Sequence, residues 1–186
     1  YSTNAAFAAL KADGSVVAWG RRHFGGDCSN IQAQISGDVQ HIYSTPGSFA
    51  ALKADGSVVA WGETYGGDCS KVKDQLVDVQ SIYSTDYAFA ALKADGSVVA
   101  WGDPLRGGDA GRVQRLLKSG VQTIASTGTS FAALKHNGRV VTWGDACYGG
   151  DSTAVQQQLT HVQHICAAGA AFAAVRSTSR RGWLPD

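Results

Sequence analysis

The stretch Phe49-Ala-Ala-Leu-Lys-Ala-Asp-Gly-Ser-Val-Val-Ala-Trp-Gly62 decides how this chain folds. Two short apolar runs flank Asp55-Gly56, the residue pair that type I′ hairpin turns favour because both central positions need positive φ. The stretch therefore reads as a β-hairpin. The same fourteen residues recur unchanged at Phe7–Gly20 and Phe89–Gly102. An edited fourth copy spans Phe131–Gly144, with Asn137-Gly138 at the turn, and a decayed fifth begins at Phe172. The phenylalanines are thus 42, 40, 42 and 41 residues apart. A period of this length marks a supersecondary block that cannot bury its apolar surface alone and leans on its neighbours.

Working outward from the hairpin, Val39–Thr45 is rich in β-branched and aromatic residues and reads as a preceding strand, with Pro46-Gly47-Ser48 as turn material. After Trp-Gly comes a variable spacer, then Gly-Gly-Asp, then a short helix. Asp27, Asp68, Asp109 and Asp151 are placed to cap it, and Ile31/Ile35, Val72/Leu76, Val113/Leu117 and Val155/Leu159 stand four apart on one face. Each unit is predicted to run strand, strand, strand, helix. Residues 1–186 form a single array with units at about 1–38, 39–78, 79–120, 121–161 and 162–186, the last partial and capping.

Phe49 and Ala51 point one way and Ala50 and Leu52 the other, so both faces of the hairpin are apolar. A sheet with one wet face would alternate apolar with polar residues. The covers must be neighbouring units. The expected fold is mainly β with one short helix per repeat, stacked as a small propeller-like ring, with an open superhelical solenoid as the alternative. The first unit is as apolar as the interior ones. It packs either on the fifth, closing a ring, or on something outside the chain. The fifth loses the turn at Ser177–Gly182 and reads as a cap.

The bulk composition excludes several classes. The net charge of +1 gives no electrostatic reason to expect nucleic acid. Residues 1–100 carry seven Lys/Arg against ten Asp/Glu, and residues 101–186 nine against five, for −3 and +4. The longest apolar run, Cys166–Val175, is too short to span a bilayer. With no methionine and a start inside a repeat, the chain reads as a processed or partial product of a longer precursor. Cys28, Cys69, Cys147 and Cys166 are expected as reduced thiols in a reducing compartment, with Cys147–Cys166 the one pair left open.

The hairpin and the strand before it resemble the regulator of chromosome condensation repeat, whose core runs through an apolar stretch, Asp-Gly, and a closing Trp-Gly. The resemblance covers roughly half of each unit. It implies a β-propeller, usually seven-bladed, that serves as an interaction platform; the founding member promotes nucleotide exchange on a small GTPase. This repeat is shorter than the family's. Gly-Gly-Asp and a helix stand in place of the family's Gly-Gln-Leu-Gly segment and fourth strand, and no exchange-site residue matches by position. The short Gly-Gly-Asp unit resembles tandem arrays of microalgal and bacterial proteins.

No residue pattern suggests catalysis, and no cofactor is expected. The recurring aspartates read as helix caps ahead of calcium ligands. Lys11, Lys53, Lys93 and Lys135 read as solubilising edge charges, and His161 with His164 lack a third metal ligand. Trp19, Trp61, Trp101, Trp143 and Trp183 read as seals between repeats, with sugar or small-ligand binding as the alternative. The spacers diverge between copies, and repeats gather such loops on one side where partners dock. The candidate partner-binding residues are Arg21, Arg22, Phe24, Tyr65, Leu105, Arg106 and Tyr148, with Arg112 and Arg115 on the third helix. The expected function is a non-catalytic adaptor module for a protein partner or larger complex, with a small-GTPase regulator as a further alternative.

Overall fold

The computed structural model describes residues 1–176. Five antiparallel sheets follow one another along the chain. The first is a hairpin of β1 (Ala6–Leu10) and β2 (Val16–Gly20). Three three-stranded meanders come next. They are β3 (Val39–Ser44), β4 (Ser48–Lys53) and β5 (Val58–Gly62); β6 (Val79–Ser84), β7 (Ala88–Lys93) and β8 (Val98–Gly102); and β9 (Val121–Ser126), β10 (Ser130–Lys135) and β11 (Val140–Gly144). β12 (Val162–Ala167) pairs with β13 (Phe172–Arg176) in the fifth. Trp183 and the Ser177–Gly182 segment lie outside the described residues.

Stacking follows the two apolar faces. Phe89, Ala91, Val99 and Trp101 of the third sheet bury themselves against Ala50, Leu52, Val58 and Ala60 of the second. The same division recurs on either side, between sheets one and two and between sheets three and four. The alanines allow this close approach, and each sheet shelters the next. Consecutive first strands also meet: the Ser84 hydroxyl donates to the Ser44 carbonyl at 3.1 Å. The outward faces at the two ends differ. Phe7, Val17 and Trp19 of the first sheet and Val175 of the fifth are exposed, so contact between first and fifth units does not close a ring among the described residues.

The hairpin turn is not type I′. Lys53 N–H donates to the Ser57 carbonyl and Gly56 N–H to the Lys53 carbonyl, both at 3.0 Å, leaving a three-residue loop. Only Gly56 is left-handed (φ 76°); Asp55 is not. This is the loop in which a type I turn is followed by a left-handed glycine. The aspartate serves another purpose, accepting the Ser57 N–H at 2.9 Å and its hydroxyl at 2.6 Å. The turn is tied to the next unit: Val79 N–H donates to the Gly56 carbonyl at 3.0 Å, and a Cβ on Gly56 would lie 2.9 Å from Asp78 Cα.

The segment after Gly-Gly-Asp is 3₁₀ rather than α-helical at Ser29–Gln34, Ser70–Gln75 and Thr153–Val155, and a series of turns in the third unit. Val72 N–H bonds the Cys69 carbonyl and Leu76 N–H the Lys73 carbonyl, both i to i−3. Such short segments are held by packing, and the tighter 3₁₀ bond pattern suits short pieces. In three units the second member of the apolar pair faces inward, with Ile35, Leu76 and Leu117 fully buried, whereas Val155 of the fourth pair is exposed. The spacers form a second turn of their own that the sequence does not announce. Arg22–Phe24, Pro104–Arg106 and Ala146–Tyr148 are 3₁₀, and Thr64–Gly67 forms the short helix α1.

Six aspartates at these turns are held below the usual carboxylate range. Asp13 falls to about 2, chiefly through the Ser15 hydroxyl and then its backbone N–H. Asp27, Asp55, Asp95 and Asp151 are lowered first by a hydroxyl two residues on, and Asp68 first by the Ser70 N–H. A carboxylate depressed on folding adds stability that is present above its unfolded value, near pH 4, and is lost as pH falls through the folded one. The melting temperature is therefore expected to drop progressively between about pH 4 and pH 2. A carboxyl-carbon NMR titration should place Asp13 at about 2. An ordinary midpoint there would show the Ser15 bonds absent in solution.

Candidate functional site

The spacers are built on a fixed pad. The first glycine of each pair, Gly25, Gly66 or Gly107, presents its carbonyl to Nε1–H of the next unit's tryptophan. Trp61, Trp101 and Trp143 each donate at 3.0 Å. Each tryptophan also stacks on the phenylalanine of its own hairpin, with ring centroids 5.1–5.2 Å apart. A Cβ on Gly107 would sit 2.7 Å from the Phe131 ring. The second glycine lies against the Trp-Gly backbone of its own unit, and a Cβ on Gly108 would be 2.4 Å from the Gly102 carbonyl carbon. The diglycine is a docking pad for the following unit. Its partners stand 23–24 residues (phenylalanine) and 35–36 residues (tryptophan) downstream, and no local signal reveals them.

The aspartate after the pad stands one residue ahead of the cap position (Cys28, Cys69 and Ser152) and closes a turn there. Asp27, Asp68, Asp109 and Asp151 accept the N–H two residues on at 2.7–3.0 Å. Each carboxylate is turned to its own backbone. Among the described residues no group of three His, Cys, Asp or Glu side chains converges as a metal site. All four cysteines are free thiols, Cys147 and Cys166 included. Burial pushes the Cys69 thiol up from its ordinary value. Trp61, Trp101 and Trp143 are buried, which removes them as platforms for a sugar.

A threonine ties the spacer from beneath. Thr85 Oγ1 accepts the Ala88 N–H at 3.0 Å and donates to the Arg106 carbonyl at 3.1 Å. Thr3 reaches the Phe24 carbonyl at 3.0 Å and Thr127 the Tyr148 carbonyl at 3.4 Å in the same manner. Because every spacer sits on the equivalent part of the next sheet, the four turns lie in a row along one edge. The hairpin tips with their lysines lie at the opposite strand ends; there Lys135 Nζ donates to the Leu116 carbonyl at 2.6 Å.

The candidate residues divide into two kinds. Arg21, Arg22, Tyr65, Leu105, Tyr148 and Arg112 are exposed along this edge, and Arg115 is exposed beside Leu116, whose carbonyl meets Lys135. Phe24 and Arg106 are half-buried and structural. Phe24 packs into the core between sheets one and two and carries the Arg21 guanidinium 5.6 Å above its ring. Arg106 pairs with buried Asp103 at 2.7 Å and lies 4.4 Å over the Tyr87 ring. Arg22 pairs with Asp27 at 3.1 Å.

Between successive spacers the edge is grooved. A groove of about 700 Å³ runs between the third and fourth, lined by Leu105, Arg112, Leu116, Trp143, Asp145 and Asp151 among others. A smaller one of about 260 Å³ lies beside Arg22, His23 and Trp61. The structure brings Leu105 and Arg112 into one groove, with Arg22 in another. Leu105 and Leu116 are exposed leucines without counterparts in the other units, where His23, Cys147, Gln34, Gln75 and Gln158 stand.

No protein-family model matches the chain, and no curated protein sequence does. Solved structures do. The CRINKLY WD40 ectodomain of the receptor kinase ACR4 from Arabidopsis thaliana aligns with a TM-score of 0.59 at 17% identity, over 96% of this chain and 66% of that one. Prp20p from Saccharomyces cerevisiae aligns at 0.56 and 17%, over 96% and 50%. Yeast RCC1 (Prp20) bound to Kap60 aligns at 0.54 and 22%, over 79% and 43%. The chain spans from under half to about two thirds of those proteins' lengths. At these identities the likeness concerns the fold: an RCC1-like, propeller-type arrangement of small antiparallel sheets.

Proposed function

We propose that this chain is a non-catalytic interaction module that docks a protein partner along its spacer edge, as part of a larger assembly. The observation that carries the reading is a contrast within each unit. Diglycine, tryptophan, phenylalanine and threonine repeat as an invariant frame, while the exposed residues raised on that frame differ at every step. Exposed Tyr65, Leu105 and Tyr148 with neighbouring arginines have the aromatic and Arg-rich makeup of contact surfaces. The likeness to Prp20, crystallised with Kap60 and characterised for binding to Gsp1p and histones, supports the same class of role. We read the repeat itself as a short Gly-Gly-Asp variant of the regulator of chromosome condensation unit.

The test is a triple substitution, Tyr65→Ala, Leu105→Ala and Tyr148→Ala, with Phe24 left intact because it is core. Affinity for a partner captured from the native source is expected to fall about 100-fold or more, with an unchanged melting temperature. Binding that survives all three places the interface elsewhere. A nucleotide-release assay on small GTPases tests the exchange-factor alternative, to which no residue correspondence lends support.

A further inference from the structure

We propose that the groove between the third and fourth spacers holds an extended segment of the protein partner that carries an arginine flanked by aliphatic side chains. The inference rests on the reading of the spacer edge as a docking surface, and names the chemistry recognised at one place on it. The two grooves of this edge are the same site at different steps of the repeat. Arg22, Asp27 and Trp61 line the smaller one, and Pro104, Asp109 and Trp143 stand at those positions in the larger. The first unit shows what the aspartate of this site accepts. Asp27 Oδ1 takes the Ser29 N–H at 3.0 Å, and its Oδ2 lies 3.1 Å from Arg22 Nε. Asp109 Oδ1 takes the Gly111 N–H at 2.7 Å in the same manner. Proline at 104 brings no cation, and among the described residues Asp109 Oδ2 has no partner.

The rest of the lining agrees with a cationic occupant. Asp145 Oδ1 accepts the Cys147 N–H at 2.9 Å, and its Oδ2 is likewise without a partner among the described residues. Arg112 is committed to Asp151: after the Thr153 hydroxyl and N–H, its charge helps to hold that carboxyl low. Asp109 and Asp145 are left uncompensated, so the groove is negative although residues 101–186 together carry +4. Its rim is apolar. Leu105 is 79% and Leu116 54% exposed, where the first unit has His23 and Gln34. Arginine suits both features, since its planar donors match carboxylates while its aliphatic stem lies along apolar surface. The volume of about 700 Å³ accommodates that side chain together with an aliphatic neighbour. Exposed ion pairs contribute little each, so a short peptide is expected to bind with a Kd of about 100 µM.

Fluorescence anisotropy on the full chain tests this, with a fluorescein-labelled peptide Gly-Ser-Leu-Arg-Leu-Ser-Gly titrated to about 500 µM protein, above that Kd. Peptides with glutamate in place of the arginine, or serine in place of both leucines, should bind at least about 10-fold more weakly. Two substitutions rewrite the groove with residues that the first unit already carries at these positions. Pro104→Arg supplies the cation that Asp27 has, and Leu116→Gln removes one side of the rim. Each is expected to weaken the arginine peptide about 10-fold, and Asp109→Asn about 5-fold. Melting curves matching wild type establish that the variants are folded; should Pro104→Arg unfold, Asp109→Asn and Leu116→Gln carry the test. A glutamate peptide that binds as tightly as the arginine one overturns the proposal, as does an absence of binding at the highest concentration. The spacer-edge reading is judged apart from this. A captured partner that is lost with the Tyr65, Leu105 and Tyr148 triple variant, yet binds the Pro104→Arg and Leu116→Gln variants like wild type, sinks the groove assignment alone.

Discussion

Gly108→Ala is expected to destabilise the chain by about 3 kcal/mol or more, and Gly107→Ala by a similar amount. The two fail for different reasons. At Gly108 the new methyl would sit 2.4 Å from the Gly102 carbonyl carbon, and backbone on both sides leaves nothing soft to yield. At Gly107 the methyl meets the Phe131 ring at 2.7 Å, and a φ of +101° is one that L side chains rarely adopt. Displacing this glycine also pulls its carbonyl from Trp143 Nε1, leaving a buried donor unpaired. Denaturant unfolding of each variant measures the loss. A cost under about 1 kcal/mol at both sites would mean that the diglycine is not a packing pad.

The second large effect is a difference between two residues with identical sequence neighbours. Trp101→Ala is expected to cost about 3–5 kcal/mol, since it removes a fully buried indole and leaves the Gly66 carbonyl without its donor. Trp19→Ala, made in the same fourteen-residue segment, should cost less than about 1 kcal/mol in the monomer, because half of that ring already meets solvent. Local propensity is the same at both sites and cancels from the comparison. What remains is the free energy of stacking one unit on the next. Equal losses would mean that the tryptophans act within their own hairpins, and the view of sheets sheltering one another would fall.

Much of this fold was legible because its signals are local. Val39–Ser44, Ser48–Lys53 and Val58–Gly62 are strands as the β-branched and aromatic runs indicate, and the apolar faces foretold stacking on both sides. Asp68 lies one residue before the cap position that the sequence assigns to it, which Cys69 occupies, and accepts the N–H of Ser70 at the start of the segment. The failures share a physical origin. Asp55-Gly56 is compatible with two turn families, and in the loop formed the side-chain oxygen of Asp55, like that of Asn137, accepts the N–H two residues on, from Ser57 and Arg139. The helix expected after Gly-Gly-Asp is 3₁₀ at Ser29–Gln34, where its end is fastened elsewhere: the Ile35 carbonyl accepts from Val16 N–H at 3.0 Å, at the start of β2. Phe24 reads in sequence as a surface aromatic, since nothing nearby shows that it packs against the core between two sheets. The exposed state of Phe7 could not be read at all, since its surroundings in sequence are those of Phe49.

Identical hairpins also shape the route by which the chain reaches its native state. Interior junctions of one composition offer equivalent starting points, and a nucleus at any of them propagates outward along the array. A substitution that weakens one junction leaves parallel routes through the others, so refolding slows little while unfolding accelerates. The same degeneracy carries a hazard: a hairpin fits its neighbour's berth as well as its own. The ten-residue step from Val79 to Phe89, the same length as that from Val39 to Phe49, is a tether too short for such a misplacement to persist.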